Sequence, residues 1–100
     1  MNSEKILALL GFAAKAGKLA YGTHATEFAI DKGSAKLVVA AADVSAKTVK
    51  ELRFKADKKE ISVITLLGID GAALGKRVGK GCSLVSVLDE GFKDAVLKYC

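Results

Sequence analysis

The sequence has no proline and no tryptophan, a single histidine, and only two cysteines, Cys82 and Cys100. Without proline, glycine is the only strong helix breaker, so the ten glycines mark most of the predicted boundaries. The cysteines lack C-x-x-C spacing, and with His24 they make no set of zinc ligands. The sequence does not exclude a disulfide between Cys82 and Cys100, but the absence of an export signal favours reduced thiols.

Long hydrophobic runs are also missing. No apolar segment approaches the roughly 18 residues that a membrane-spanning helix needs. The first residues, Met1 to Lys5, carry no signal peptide, because the apolar segment after them is amphipathic and lacks a small-residue cleavage site. We therefore expect a cytoplasmic protein without a membrane partner.

The chain has 100 residues, and 51% of them are hydrophobic, which predicts one domain over residues 1–100 with a substantial core. Sixteen Lys and Arg residues face eleven Asp and Glu residues, so the formal net charge is +5. An excess of basic residues in so small a protein favours an anionic partner such as nucleic acid, the ribosome or an acidic surface. The alternative is a basic domain whose charge serves only solubility.

Helices and strands are predicted to alternate along the whole chain, which is typical of an α/β fold with helices on both faces of a small sheet. The segment 36–42 is continuously apolar and rich in valine, which indicates a central strand buried on both faces. Ser3 and Ser45 are expected helix caps, and Gly17 and Gly33 are expected to end helices. The predicted helices cover residues 3–16, 23–32, 46–59, 70–78 and 89–99, and the predicted strands cover residues 19–21, 36–42, 61–67 and 83–88.

The segment from Tyr21 to Glu27 is the first candidate site, because it joins a short strand to a helix. Gly22 allows the backbone to turn, and Thr23 is a plausible N-cap. A helix N-terminus offers unpaired N–H groups and the positive end of a dipole, which together favour a phosphate. Most junctions of this kind bind nothing, so the pattern alone does not establish a site.

The helix over residues 46–59 combines an apolar face, formed by Val49, Leu52 and Ala56, with an otherwise basic surface. Glu51 is expected to pair with Lys47 and Lys55 at helical spacing. We interpret the basic face as solvated surface rather than as a direct ligand contact.

Two glycine-rich segments resemble nucleotide-binding motifs but fail their requirements. In residues 71–77, three residues rather than four separate the glycines, and Arg77 stands where a P-loop needs Ser or Thr. Gly79-Lys80-Gly81 matches the start of the dinucleotide-binding motif G-x-G-x-x-G, but Leu84 occupies the position of the third glycine. A predicted strand also follows, where the motif requires a helix. With no catalytic triad or carboxylate pair either, we expect no enzyme activity, no cofactor, no metal and no small-molecule substrate.

Several short segments, in a fixed order and spacing, resemble one protein family over almost the whole chain. They are LGFAAKAGKL at 10–19, YGT at 21–23, AIDKGSAKLVVA at 29–40, ADVS at 42–45, LGK at 74–76 with Gly79, and DEGF at 89–92. Together they are similar to the ribosomal L7Ae/L30e family of kink-turn RNA-binding proteins, specifically to its short bacterial branch.

The resemblance implies a three-layer α-β-α sandwich around a four-stranded mixed sheet. It also implies binding to a kink-turn, a bent RNA duplex with a bulge beside sheared G·A pairs. In the family, the amino end of the helix after the first strand enters the groove at those pairs. A loop before the last strand covers a flipped-out bulge base.

The family motif at that helix is Gly, a small residue, Asn, Glu, two variable residues and Lys. Gly22 and Thr23 match it, but His24 stands for the asparagine, Ala25 for the glutamate and Phe28 for the lysine. Histidine donates or accepts hydrogen bonds and stacks on bases, so we expect His24 to replace the asparagine without loss of binding. Ala25, in contrast, cannot accept a hydrogen bond from a guanine edge. We expect Phe28 to pack against the protein rather than stack on a base.

The remaining implied contacts lie outside this motif. Lys32 matches a basic position that meets the RNA backbone, and Val49 aligns with an apolar position near the bulge. The capping loop corresponds to Val78–Cys82, including Gly79, Lys80 and Gly81, and Lys36 is expected to add charge nearby.

Two functions therefore remain open. The first is a non-catalytic, monomeric protein that binds kink-turn or similarly bent structured RNA, with ribosomal RNA as a candidate. The second is a protein-interaction module on the same fold within a ribonucleoprotein or ribosome-related complex.

Overall fold

The computed structural model describes residues 1–100, and every predicted element is present with boundaries within a few residues of those expected. The elements in chain order are α1 (Ser3–Lys15), β1 (Leu19–Tyr21), α2 (Gly22–Lys32), β2 (Leu37–Ala40), α3 (Ala46–Asp57), β3 (Ser62–Thr65), α4 (Gly71–Val78), β4 (Leu84–Val87) and α5 (Glu90–Leu97). The longest helix, α1, has 13 residues, and no helix has the length and apolar character needed to cross a membrane.

The helix ends agree with the expected caps except at the starts of α1 and α2. Ser45 caps α3 by accepting a hydrogen bond from the Thr48 N–H at 3.2 Å, as predicted. At α1, Ser3 is already helical, so Asn2 is the cap instead, with its Oδ1 3.2 Å from the Lys5 nitrogen. Gly33 ends α2 in the left-handed conformation, at a φ of +76°, which only glycine adopts without strain.

The sheet has the strand order β1-β4-β2-β3. β2 pairs with β3 in parallel, whereas β4 is antiparallel to both β1 and β2. The mixed four-stranded sheet implied by the resemblance is therefore confirmed. This topology makes β1, β2 and β3 point the same way, so that they end where β4 begins. We call this side of the sheet the carboxyl edge; Tyr21, Ala40, Thr65 and Leu84 lie on it.

β2 shows why the molecule has three layers. Leu37 and Val39 belong to a core cluster with residues of α1, α4 and α5, while Val38 and Ala40 belong to a second cluster with residues of α2 and α3. All four side chains are buried, because successive residues of a strand face opposite sides of the sheet. The α-β-α sandwich and the doubly buried central strand are both confirmed.

α2 and α3 lie side by side on one face of the sheet and run in the same direction, since both begin at the carboxyl edge. The Lys55 Nζ atom is 3.4 Å from the Glu27 Oε2 atom across the two helices. The expected pairing of Glu51 with Lys47 and Lys55 was wrong, because Lys55 reaches to the neighbouring helix instead. Both partners of the observed pair are partly exposed, so its contribution to stability is small.

Candidate nucleic-acid interface

The carboxyl edge gathers the N-termini of three helices. α2 begins at Gly22, α3 at Ala46 and α4 at Gly71, each after a strand that ends at this edge. Each N-terminus carries the positive end of a helix dipole and N–H groups without helical partners. The edge is therefore the part of the surface where the backbone itself favours phosphate groups.

The junction of β1 with α2 leaves the first turn of α2 without a capping side chain. Tyr21 occupies the cap position in an extended conformation and makes no side-chain hydrogen bond to the helix. The expectation that Thr23 is the cap was wrong, because the helix begins one residue earlier, at Gly22. Gly22 has a φ of +86°, so the turn into the helix needs glycine here. The N–H groups of this turn remain available to a ligand.

His24, Phe28 and Lys32 form one exposed stripe along α2, because they are four residues apart. Phe28 is 62% exposed, so the expectation that it packs against the protein was wrong. The side of α2 that faces the sheet is occupied by Thr26, Ala29 and Ile30. Lys32 Nζ lies 4.9 Å from the centre of the Phe28 ring, within the range of a cation–π contact.

The length of α2 separates the two ends of this stripe. Lys32 is in the last turn of the helix, roughly 15 Å along the axis from Gly22. Ala25, which replaces the family's glutamate, is half-buried and offers no hydrogen-bonding side chain. A ligand that contacts both Gly22 and Lys32 must therefore follow the helix along its length.

The loop between α4 and β4 lies beside the start of α2. Lys80 Nζ is 4.9 Å from the centre of the Tyr21 ring, although the two residues are far apart in sequence. Tyr21 begins the first candidate segment, but no RNA contact was assigned to its side chain. The register explains the contact, because Tyr21 pairs with Val85 in β4, shortly after the loop. The structure thus brings the predicted capping loop and the predicted helix start together.

Gly71 and Gly75 allow this loop to pack closely against α4. A Cβ atom at Gly75 would lie 2.7 Å from the carbonyl oxygen of Lys80, and one at Gly71 would lie 2.7 Å from the Cβ of Ser83. The two glycines are four residues apart and so share one face of the helix. The segment that resembled a P-loop therefore has a packing role. The spacing of four residues between its two glycines is the sequence signal for this role.

Hydrogen bonds join the loops of the carboxyl edge to one another. The Gly71 N–H donates to Asp43 Oδ1 at 2.8 Å, which ties the turn after β2 to the start of α4. Ala41 donates to the Ser83 carbonyl at 2.8 Å, and Ala42 donates to the Ile69 carbonyl at 2.7 Å. Asp43 therefore helps to hold the edge in one arrangement.

Two of the expected site residues do not present their side chains at the carboxyl edge. Val78 is buried in the core cluster with α1 and α5, so only the backbone around it is available to a ligand. Lys36 precedes β2 at the opposite edge of the sheet, where its N–H donates to the Val87 carbonyl at 2.7 Å. Its charge acts there on Glu90, where it adds to the stronger effect of Lys93 in lowering the pKa of that carboxyl.

The other expected site residues lie at or beside the carboxyl edge. Val49 is half-buried in the first turn of α3 and lines a groove with Val44 and Arg53. Gly79 and Gly81 flank Lys80 in the exposed part of the loop. Cys82, at the end of the loop, is a free thiol, and burial raises its pKa. It is therefore protonated at neutral pH.

Known proteins share both the sequence pattern and the fold. The profile of the ribosomal protein L7Ae/L30e/S12e/Gadd45 family matches residues 4–97. The RNA-binding protein YlxQ of Enterococcus faecium is 32% identical over 91 residues, which cover 91% of this chain and 86% of YlxQ. A solved Bacillus halodurans protein of unknown function is 32% identical, with 94% of each chain covered and a TM-score of 0.85.

A second solved structure supports the fold alone. The Giardia lamblia 15.5kD RNA binding protein superimposes with a TM-score of 0.81 over 96% of this chain and 82% of its own, at 20% identity. The profile match spans nearly the whole sequence, and the α-β-α sandwich agrees with it. The chain belongs to the ribosomal protein L7Ae/L30e/S12e/Gadd45 family.

Proposed function

We propose that this protein binds structured RNA at the carboxyl edge, and that its target is a kink-turn or a similarly bent duplex. The main support is the uncapped start of α2 at Gly22, with the Lys80 loop placed beside it. Free N–H groups next to a lysine suit the phosphate backbone of a bent RNA. The relative YlxQ, described as an RNA-binding protein, agrees with this proposal.

The proposed roles differ along the site. The Gly22 turn and the N–H groups of α2 hold phosphates, His24 contacts or stacks on a base, and Lys32 meets the backbone farther along the duplex. The loop from Gly79 to Gly81 covers an unstacked base, since RNA-binding proteins recognise such bases by shape and stacking. No step of catalysis is involved, in agreement with the ribosomal-protein family to which the chain belongs.

This proposal includes reduced base discrimination. Ala25 has no acceptor and Phe28 no charge, so two side chains that read bases in the family are missing. A bidentate contact to a base edge discriminates by about 1–3 kcal/mol in duplex DNA, and we apply that scale to the sheared pairs. We therefore expect the protein to distinguish an intact kink-turn from one with disrupted G·A pairs less strongly than members with the full motif.

The test compares these two RNAs with the natural protein and with the triple variant His24→Asn, Ala25→Glu, Phe28→Lys. None of the three side chains is in the core, so the variant is expected to fold, which circular dichroism checks. The variant should gain discrimination by about tenfold or more. If neither folded protein prefers the intact RNA, kink-turn recognition is wrong and the protein-interaction function takes its place.

We further propose that the whole chain acts as one monomeric RNA-binding domain in the cytoplasm, in association with the ribosome. Membership of a family that includes ribosomal proteins supports this part. Cosedimentation with ribosomal particles in a sucrose gradient at low salt tests it. Recovery only in the fractions of free protein would contradict ribosome association without affecting RNA binding itself.

A further inference from the structure

α2 and α3 present a phenylalanine each to solvent on the same face of the molecule. Phe28 on α2 is 62% exposed and Phe54 on α3 is 66% exposed. Neither belongs to a core cluster, so neither ring stabilises the fold by burial. Single exposed apolar side chains are common on protein surfaces, so the case for a role of these two rings depends on their neighbours.

The two rings lie at the same level on their helices. Glu27 and Lys55 join α2 to α3 with their charged atoms 3.4 Å apart. Phe28 directly follows Glu27, and Phe54 directly precedes Lys55. The ion pair therefore places the two phenylalanines at similar heights on neighbouring helices, and the exposure of both rings puts them on the outer side of the α2–α3 layer.

Each ring also has a lysine beside it. Lys32 Nζ is 4.9 Å from the centre of the Phe28 ring, and Lys58 Nζ is 4.4 Å from that of Phe54. A flat apolar ring next to an ammonium group offers both contacts that one nucleotide needs, stacking for the base and charge for the phosphate.

A groove of about 580 Å³ runs between α2 and α3 next to Phe54. It is lined by Lys47 and Lys50, in addition to the Glu27–Lys55 pair and Glu51. Since Lys55 neutralises Glu27, the basic residues dominate this groove. Its position connects the Phe54 ring with the first turns of α3, which begin at the carboxyl edge.

We infer that the α2–α3 face binds a single-stranded segment of RNA that continues from the bent duplex, with bases stacked on Phe28 and Phe54. This inference rests on the proposed function and extends it to a second RNA element. The His24–Phe28–Lys32 stripe leads from the duplex site onto this face without interruption. Stacking tolerates any base, so the segment is recognised by being unpaired rather than by its sequence.

The test uses one kink-turn RNA in three forms: blunt, with eight unpaired nucleotides at one end, and with the same extension at the other end. The natural protein should bind one extended form about five-fold or more tightly than the blunt form, as expected for base stacking on an aromatic side chain. Phe54→Ala should reduce that gain, because only the stacking on Phe28 remains, and should leave affinity for the blunt RNA unchanged.

Phe12→Ala is the matched control, because Phe12 is 61% exposed but lies on α1, in the opposite layer. It should retain the full gain from the extension. An extension that adds no affinity in either position, or a gain that Phe54→Ala leaves undiminished, would overturn the inference. Blunt RNA that fails to bind at all would instead refute the proposed function, so the two failures are distinguishable.

Discussion

At the scale of the residue, two buried hydroxyl groups are exceptions in an apolar core. Thr26 Oγ1 and Ser86 Oγ are fully buried, and neither has a hydrogen-bond partner within the protein. They belong to α2 and β4, which pack against each other. A buried polar group without a partner costs free energy, so these hydroxyls mark a place where the fold is less stable than it could be.

We predict that Thr26→Val raises the free energy of unfolding by about 1 kcal/mol, since valine has the shape of threonine without its hydroxyl. Urea denaturation measures the change. Thr23→Val, at an exposed position of the same helix, is the control and should alter stability by less than about 0.5 kcal/mol. A loss of stability in Thr26→Val would mean that the hydroxyl does make a favourable contact.

The two cysteines lead to a second prediction at this scale. Both are free thiols, and the core is built without any contribution from a disulfide. We expect the same melting temperature with and without reductant. Cys100 should also react faster than Cys82 with a thiol reagent at neutral pH, because it is exposed and burial raises the pKa of Cys82. A marked fall in melting temperature on reduction would show that the cysteines pair.

At the scale of the element, the α4 helix determines where the capping loop lies. Gly79 and Lys80 both donate backbone hydrogen bonds to the Gly75 carbonyl, at 2.9 and 3.0 Å. The absence of a side chain at Gly75 lets the loop return directly across the helix. The position of Lys80 next to Tyr21 therefore depends on Gly75, a buried residue of α4.

We predict that Gly75→Ala lowers the free energy of unfolding by about 1–3 kcal/mol, because the new methyl group would collide with the Lys80 carbonyl. This loss should outweigh the gain in helix propensity, and affinity for kink-turn RNA should fall as the loop moves. Gly81→Ala is the control, since a Cβ atom there meets nothing within 4 Å. Equal stability of natural protein and Gly75→Ala would show that the loop adapts freely.

At the scale of the whole molecule, the net charge of +5 acts through its distribution. Three helix N-termini meet at the carboxyl edge, and lysines continue from there along α2 and α3. Lys36 lies at the opposite edge of the sheet, so it contributes to the net charge but not to this surface. The position of each lysine on the surface, and not only the net charge, therefore decides how much it contributes to RNA binding.

We predict that Lys32→Ala and Lys80→Ala each weaken RNA binding and flatten its dependence on salt, by a slope of about 0.9 per lost phosphate contact on a duplex. Lys36→Ala should leave affinity and slope nearly unchanged. Titrations of labelled RNA at several salt concentrations measure all three variants. Loss of affinity in Lys36→Ala alone would move the binding surface to the other edge.

The sequence by itself determined the order and type of the elements, because apolar periodicity and glycine positions are local properties of the chain. The doubly buried strand at Leu37–Ala40 and the cap at Ser45 were predictable for this reason. The resemblance to a family added the kink-turn as the expected ligand and the loop before β4 as a further part of the expected site. These predictions needed no knowledge of which strands are neighbours.

Only the tertiary structure decided which residues share a surface. The strand order β1-β4-β2-β3 brings Lys80 beside Tyr21 and places Lys36 at the far edge, and neither result is a property of nearby residues in the sequence. Packing also decided that Phe28 is exposed and Val78 buried, although both side chains are apolar. The difference arises because α2 turns Ala29 and Ile30 towards the sheet, whereas α4 turns Leu74 and Val78 into the core.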